Sequence, residues 1–328
     1  MRAIRLHELG APDHLVLDEL PDLTPSPGQV RIAVEASGVH LLDTSLRRGE
    51  AGGPMPPPEL PTIPGREVAG VVDGLGSGVD ASWLGRRAVA HLGMVPGGYA
   101  EQAVTAVESP LAVPDQVSLP EAVAAVGTGR TALGVLELEP PGPDDVVLVP
   151  SAAGGVGWLL VQAVVATGAT VVAAARGAGR TARLDELGAA LVVDYGDPGW
   201  DNDVREKVGP TSLVYDGVGG EVGRAGLELL APGGRLVMFG YSSGTPTRFD
   251  SADLVARGIT AGWSLGPRMA ALPGGIPGLA ARALERVAVG SWSPLVSTYP
   301  LAAAARAHAD LEDRRALGKV VLVNGGHR

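Results

Sequence analysis

Between about Val123 and Gly262 the chain carries a series of continuous apolar runs: DDVVLVP, ATVVAAA, AALVVDY, TSLVYDGV and GRLVMFG. None of them alternates apolar with polar residues, so each predicts a strand covered on both faces. Helical segments such as VGWLLVQAVVATG and TARLDELG lie between them. Strand–helix alternation of this kind predicts parallel βαβ units wound into one sheet, an α/β fold.

The first strand-to-helix junction reads SAAGGVG, residues 151–157. Ala152, Gly154 and Gly157 give an A-x-G-x-x-G pattern directly after VVLVP and at the head of a helix, the context in which such a pattern binds a dinucleotide. Gly154, followed by Gly155 and Val156, lets a pyrophosphate approach the backbone, and Gly157 lets the helix sit close to the strand. The amides of the helix N-terminus then face the phosphates. A glycine turn without a ligand is the alternative reading.

The end of the second strand, TVVAAA, bears on which dinucleotide. An acid there accepts from the ribose 2′-OH in NAD-selective sites. Here Arg176 follows the strand, 22 residues past Gly154, with Arg180 and Arg183 beyond it and no acid before Asp185. Guanidinium forks pair with a 2′-phosphate, so NADPH (NADP+) is expected over NADH. The alternative is that these arginines are only a solvated helix face.

The text from residue 1 to about 122 is strand-like and rich in turns, as in QVRIAVEASGV and REVAGVVDGLGSGV, and predicts a β-rich domain. GEAGGPMPPPELPTIPG has too much Pro and Gly for regular structure and predicts a long surface loop between residues 49 and 65. After the parallel-sheet domain, expected over residues 123–262, residues 263–328 predict a helix in GLAARALERVAVG, a helical LAAAARAHADLEDRRAL and a strand in GKVVLVN. That tail is expected to return to the first domain.

Composition removes several function classes. A length of 328 residues suffices for two domains, and 45% hydrophobic with 19% charged residues is the balance of a globular protein. The net charge of −10 argues against nucleic acid or an acidic membrane face as partner. Only Lys207 and Lys319 are lysines. The absence of cysteine excludes disulfides, thiolate nucleophiles and thiolate-ligated zinc. The N-terminal segment lacks the apolar core of a signal peptide. Val156 to Ala175 runs uncharged for 20 residues, but Gly168 splits it into a helix and a strand, each too short to span a bilayer. A cytoplasmic protein without membrane attachment is expected.

The motifs GVHLLDTSLRRG, LPTIPGREVAGVVDGLGSGV, GGYAEQ, TGRTALGVL, PSAAGGVG, VYDGVGG and LGKVVL occur in the order found in medium-chain dehydrogenases/reductases. Over residues 1 to 324 the chain most resembles the zinc-independent quinone oxidoreductase branch, itself similar to enoyl reductases. The resemblance implies a GroES-like substrate domain interrupted by a Rossmann domain, a cofactor in the cleft between them, and a homodimer. Zinc-dependent relatives carry Cys at the position of His40 and His at that of Arg66, and their third ligand falls on Gly127. The four-cysteine lobe is missing between Arg87 and Tyr99. Of that set only His40 and Glu67 have ligand chemistry, with Arg66 repelling a cation beside them. His7, His14, His91, His308 and His327 show no ligand spacing, so no metal is expected.

Without a Lewis acid, a nicotinamide hydride suits the β-carbon of an enone or a quinone ring, and hydrogen-bond donors must meet the charge that grows on oxygen. No Tyr has a Lys four residues on, which argues against the short-chain reductase pair. The expected activity is therefore reduction of a quinone or an activated C=C bond. Alternatives are a pathway-specific enoyl-thioester or polyketide-tailoring reductase, and an NADPH-binding structural or regulatory protein.

Carried over from the family residue by residue, Thr131 faces the nicotinamide, Arg180 and Tyr195 the 2′-phosphate end, and Phe239 with Gly240 the strand end under the nicotinamide. His40 and Asp43 stand where quinone oxidoreductases show Asn and Asp. His40 can also carry a proton, which makes it the candidate acid; Asp43 is the candidate partner fixing its loop. The family's pocket tyrosines are replaced by Ser45 and Ala51. Tyr241, with Trp263 and Met269, is the candidate replacement lining.

Overall fold

The chain begins as an antiparallel pair, β1 (Arg2–Leu6) and β2 (Leu15–Glu19). Val30, Ile32 and Val34 alternate inward along β3 (Gln29–Val39), the longest strand. Helix α1 (Leu41–Arg48) follows at once and is closed by Gly49 in the left-handed region, φ 74°. Strands β4 (Glu67–Leu75), β5 (Arg87–His91), β6 (Gln102–Ala106) and β7 (Leu111–Ala112) then build an antiparallel sheet around β3. Val68, Val72, Ala88 and Ala103 fill its core. Helix α2 (Leu119–Ala124), capped by Ser118 and Glu121, runs into a wide π turn over Ala125–Gly129.

This computed structural model describes residues 1–50 and 55–325, so Ala51 and His327 lie outside the described residues. Two compact units emerge: Met1–Thr128 with Ala280–Arg328, and Gly129–Leu279.

The second unit opens with α3 (Arg130–Leu138) and is a six-stranded parallel sheet. Its elements are β8 (Val146–Pro150), α4 (Gly155–Val165), β9 (Thr170–Ala175), α5 (Ala178–Thr181), β10 (Leu191–Asp194), α6 (Trp200–Lys207), β11 (Thr211–Asp216), α7 (Gly220–Leu229), β12 (Leu230–Met238), α8 (Ser251–Arg257) and β13 (Thr260–Trp263). The strand order β10-β9-β8-β11-β12-β13 reverses direction between β8 and β11. In an open parallel sheet, ligands bind outside the strand C-termini at such a reversal. The expected α/β fold, a GroES-like β-rich unit plus a Rossmann-type sheet, is the observed one.

The sheet unit extends past Gly262 to Leu279 because α9 (Pro267–Ala270) packs back onto α3, where Met269 lies against Gly134. It ends inside α10 (Gly275–Ala288), after which the chain rejoins the first unit. There β14 (Val296–Pro300), α11 (Ala304–Glu312) and β15 (Lys319–Val323) close the structure, with β15 antiparallel to β3.

Two expected helices are shorter than the sequence suggests. TARLDELG forms only the end of α5 and one 3-10 turn at Asp185–Leu187, because Leu184 alone of the segment is fully buried and a helix needs a packed face. LAAAARAHADLEDRRAL stops at Glu312: Arg314 takes φ 57° and the amides of Arg315 and Ala316 fold back onto the Asp310 carbonyl, aiming the chain into β15.

Candidate active site

In the sheet unit, the candidate residues gather at the strand C-termini. After β8, Ser151 adopts φ 62°, rare for a residue with a side chain, and starts the turn that leads through Gly154 into α4. A Cβ on Gly157 would lie 2.3 Å from the Ser151 carbonyl oxygen, so helix and turn touch through glycine alone. Gly155, Val156 and Gly157 form the first turn of α4, whose leading amides have no partner within the helix.

At the end of β9, Arg176 is exposed and, among the described residues, has no acidic partner. Its side chain lies over Gly196, where a Cβ would meet Cγ at 3.2 Å. Arg180 is half-buried in α5, whereas Arg183 makes an exposed pair with Glu186 at 2.9 Å. Tyr195 donates its amide to the Ala175 carbonyl, which puts it beside the end of β9.

Asp194, read in sequence only as part of VVDY, ends the neighbouring strand. Its two carboxylate oxygens accept from the amides of Gly177 and Gly196, both at 2.8 Å. An acid therefore does stand near Arg176, and it is occupied in tying two loops together.

Phe239 follows β12 and donates its amide to the Asp216 carbonyl, while its ring covers Gly217. Gly240 also approaches Gly217, a Cβ there lying 3.0 Å from the Gly217 oxygen. Tyr241 stacks obliquely with Trp263, ring centroids 6.1 Å apart. Met269 is buried against Gly134 and forms core, not pocket lining. Thr131 is the second residue of α3, whose N-cap is Gly129, so it does not cap that helix. Buried Asp216 accepts from the amides of Val218 and Gly219 and from the Thr247 hydroxyl. It shapes the VYDGVGG loop, a role its sequence context did not announce.

The first unit places a different kind of cluster where β3, β4 and β15 meet. His40 caps α1, and its Nε2 lies 2.5 Å from Glu67 Oε1 and 2.7 Å from Lys319 Nζ. Lys319 Nζ is also 2.9 Å from Glu67 Oε2. The Glu67 side chain is 0% exposed, Lys319 2% and His40 27%. Gly38 and Gly127 make the space: a Cβ on either would lie 2.3 Å from Glu67 Oε2.

Behind His40, Asp43 is buried. It accepts from the His40 amide at 2.8 Å and from the Tyr99 hydroxyl at 3.1 Å, with Arg66 3.7 Å away. Tyr99 in turn contacts His308 Nε2 at 3.1 Å. Burial holds His308 down at about 4, so it is neutral and donates its Nε2 hydrogen to Tyr99. Burial and the Asp43 charge push Tyr99 well above the usual phenol range.

Lys319 is the member of this cluster that sequence reasoning missed. Its signal was rarity: one of two lysines, at the head of an apolar strand. Among the described residues no group of three or more His, Cys, Asp or Glu is arranged to hold a metal ion. No described helix is long and apolar enough to cross a membrane.

Residues 26–115 match the alcohol dehydrogenase GroES-like domain, and residues 155–278 match the domain described as zinc-binding dehydrogenase. The latter stretch contains none of His40, Glu67 or Gly127. The chain is 31% identical to a 2-haloacrylate reductase of a Burkholderia species over 97% of both chains. This chain belongs to the medium-chain dehydrogenase/reductase superfamily. Within that superfamily it falls in the quinone oxidoreductase-like branch and is an NAD(P)H-dependent oxidoreductase. A mycobacterial member solved with NADPH superposes with a TM-score of 0.86 at 34% identity, covering 98% of this chain and 99% of that one. Escherichia coli quinone oxidoreductase, also solved with NADPH, gives 0.87 at 27% identity over 98% and 100%.

Proposed function

We propose that this chain is an NADPH-dependent, metal-free reductase of quinones or activated C=C bonds, working as a homodimer. The observation that carries the reading is the ammonium of Lys319 set 2.7 Å from His40 Nε2. A fixed positive charge of the protein's own stands where a cation would meet that nitrogen. The likeness to a 2-haloacrylate reductase, and to two relatives solved with NADPH, supports the same reading.

The glycine turn suits a dinucleotide: the α4 amides and Gly154 to Gly157 would hold the pyrophosphate. Arg176 and Arg180, with Tyr195 nearby, would hold the 2′-phosphate, and Thr131, Phe239 and Gly240 the nicotinamide end. Bound NADPH supplies a hydride to a soft, conjugated acceptor. The chain's own part is to donate a hydrogen bond to the acceptor oxygen as charge grows there, and to return a proton to the product. His40 has that role, with Asp43 fixing the start of α1 beneath it.

Anaerobic NADPH consumption with product identification tests this, using a benzoquinone, a cyclic enone and an enoyl thioester, with NADH as control. Hydroquinone or saturated enone, formed at least about tenfold faster with NADPH than with NADH, is the expected result. Tight NADPH binding with no turnover of any acceptor overturns it in favour of a binding protein. Sedimentation velocity checks the dimer.

A further inference from the structure

We propose that Lys319, held by Glu67, supplies the proton that His40 delivers: the ammonium fixes His40 at rest as the Nδ1–H tautomer and refills Nε2 when Nδ1 gives its proton away. The destination of that proton rests on the function proposed above; the tautomer does not.

One ring nitrogen faces two groups with opposite demands. A carboxylate only accepts and an ammonium only donates, whereas His40 Nε2 carries either a hydrogen or a lone pair. Two arrangements with the same number of protons are open to these groups, and only the second puts a hydrogen between Nε2 and Glu67 Oε1. In one, Lys319 Nζ donates to a bare Nε2. In the other, Nε2 holds the proton and donates to Glu67 Oε1, while the neutral amine stays 2.9 Å from Glu67 Oε2. They differ by the movement of one proton across 2.7 Å.

An ordinary lysine holds its proton far more tightly than an imidazole, which makes the first arrangement the resting one. Burial of Lys319 and the contact of Glu67 with Nε2 lower the cost of the second. With Nε2 turned inward to this pair, Nδ1 is the remaining polar atom of the ring. When the Nδ1–H bond breaks and the product's new bond to hydrogen forms, an Nζ–H bond breaks and an Nε2–H bond forms. Lysine is left as a neutral amine until water returns a proton to Nδ1 of the partly exposed ring and the Nε2 proton passes back to Nζ. Among the described residues, Asp43 accepts from the His40 backbone amide, and Arg66 lies beside Asp43.

Nitrogen-15 histidine NMR on the whole protein at about pH 8 reads the tautomer, with His40 assigned by its loss in His40→Asn. The expected spectrum has Nδ1 protonated and Nε2 bare in the unaltered protein and in Lys319→Arg. In Lys319→Met the proton moves to Nε2, against Glu67. An Nε2–H imidazole in the unaltered protein overturns the assignment, and that spectrum decides even if Lys319→Met does not fold.

Arginine donates hydrogen bonds but does not release its proton. Lys319→Arg is therefore expected to keep the tautomer while losing roughly 100-fold in kcat for enone reduction, with KM for NADPH unchanged. Full enone turnover in Lys319→Arg overturns the proton supply. Absence of turnover in the unaltered protein sinks the proposed reaction, and the tautomer is still read from the spectrum.

Discussion

The glycine turn of the parallel sheet presents backbone amides, whereas the cluster around His40 is made of buried side chains. The turn is made by residues adjacent in sequence, 151–157, and needs only small size and a particular backbone path. The His40 cluster joins residues 27 and 279 positions apart and sets a cation and an anion in the interior, where each depends on the other. Local and backbone-made chemistry is robust to most side-chain changes but not to an added methyl group. Distant, side-chain-made chemistry is sensitive to charge.

The largest expected effect breaks the buried pair. Glu67→Gln leaves the Lys319 ammonium without its counter-charge and is expected to cost ~3–5 kcal/mol in urea unfolding. Adding Lys319→Met to it should recover part of that loss, and a cost no larger than that of a surface mutation would erase the contrast drawn above.

Next comes acid. His308 is held at about 4 against an ordinary 6.5, so the unfolded chain binds its proton first as pH falls. Its contribution is present above pH 6.5 and is lost on the way down to pH 4, about 3 kcal/mol in all. Urea unfolding at the two ends of that window should show the loss, and His308→Asn should flatten it.

In the other region, Gly157→Ala drives a Cβ against the Ser151 carbonyl and is expected to weaken NADPH binding by ~2 kcal/mol, roughly 30-fold in Kd. Calorimetry checks this; unchanged affinity would mean that the turn holds no pyrophosphate. The smallest effects separate the arginines. Arg176→Ala should cost NADPH about tenfold in Kd and leave NADH unchanged. Arg183→Ala removes only an exposed pair and should alter stability by less than ~0.5 kcal/mol.

What was legible in the sequence follows the same division. Five of the six strands of the sheet unit, the turn after β8 and the strand in GKVVLVN were written in local patterns of apolar and glycine residues, whereas β13 and the pairing of β15 with β3 were not. The limits of helices were less so, because TARLDELG and the end of α11 were decided by what each side chain met in the interior. Asp194 and Asp216 were visible as residues, but their work is to accept loop amides, which no spacing rule marks. The Glu67–Lys319 pair was hidden for the plainest reason: β4 and β15 become neighbours of His40 only through β3.

Residue 127 shows what the packing of Glu67 means for changing this protein. Any side chain there must occupy the volume of the Glu67 carboxylate, and glycine at 38 confines it from the other side. A library varied at position 127 alone should return glycine almost exclusively, whatever activity is selected. Varied together, positions 67, 127 and 319 become a single unit of sequence space, crossed in one step or not at all.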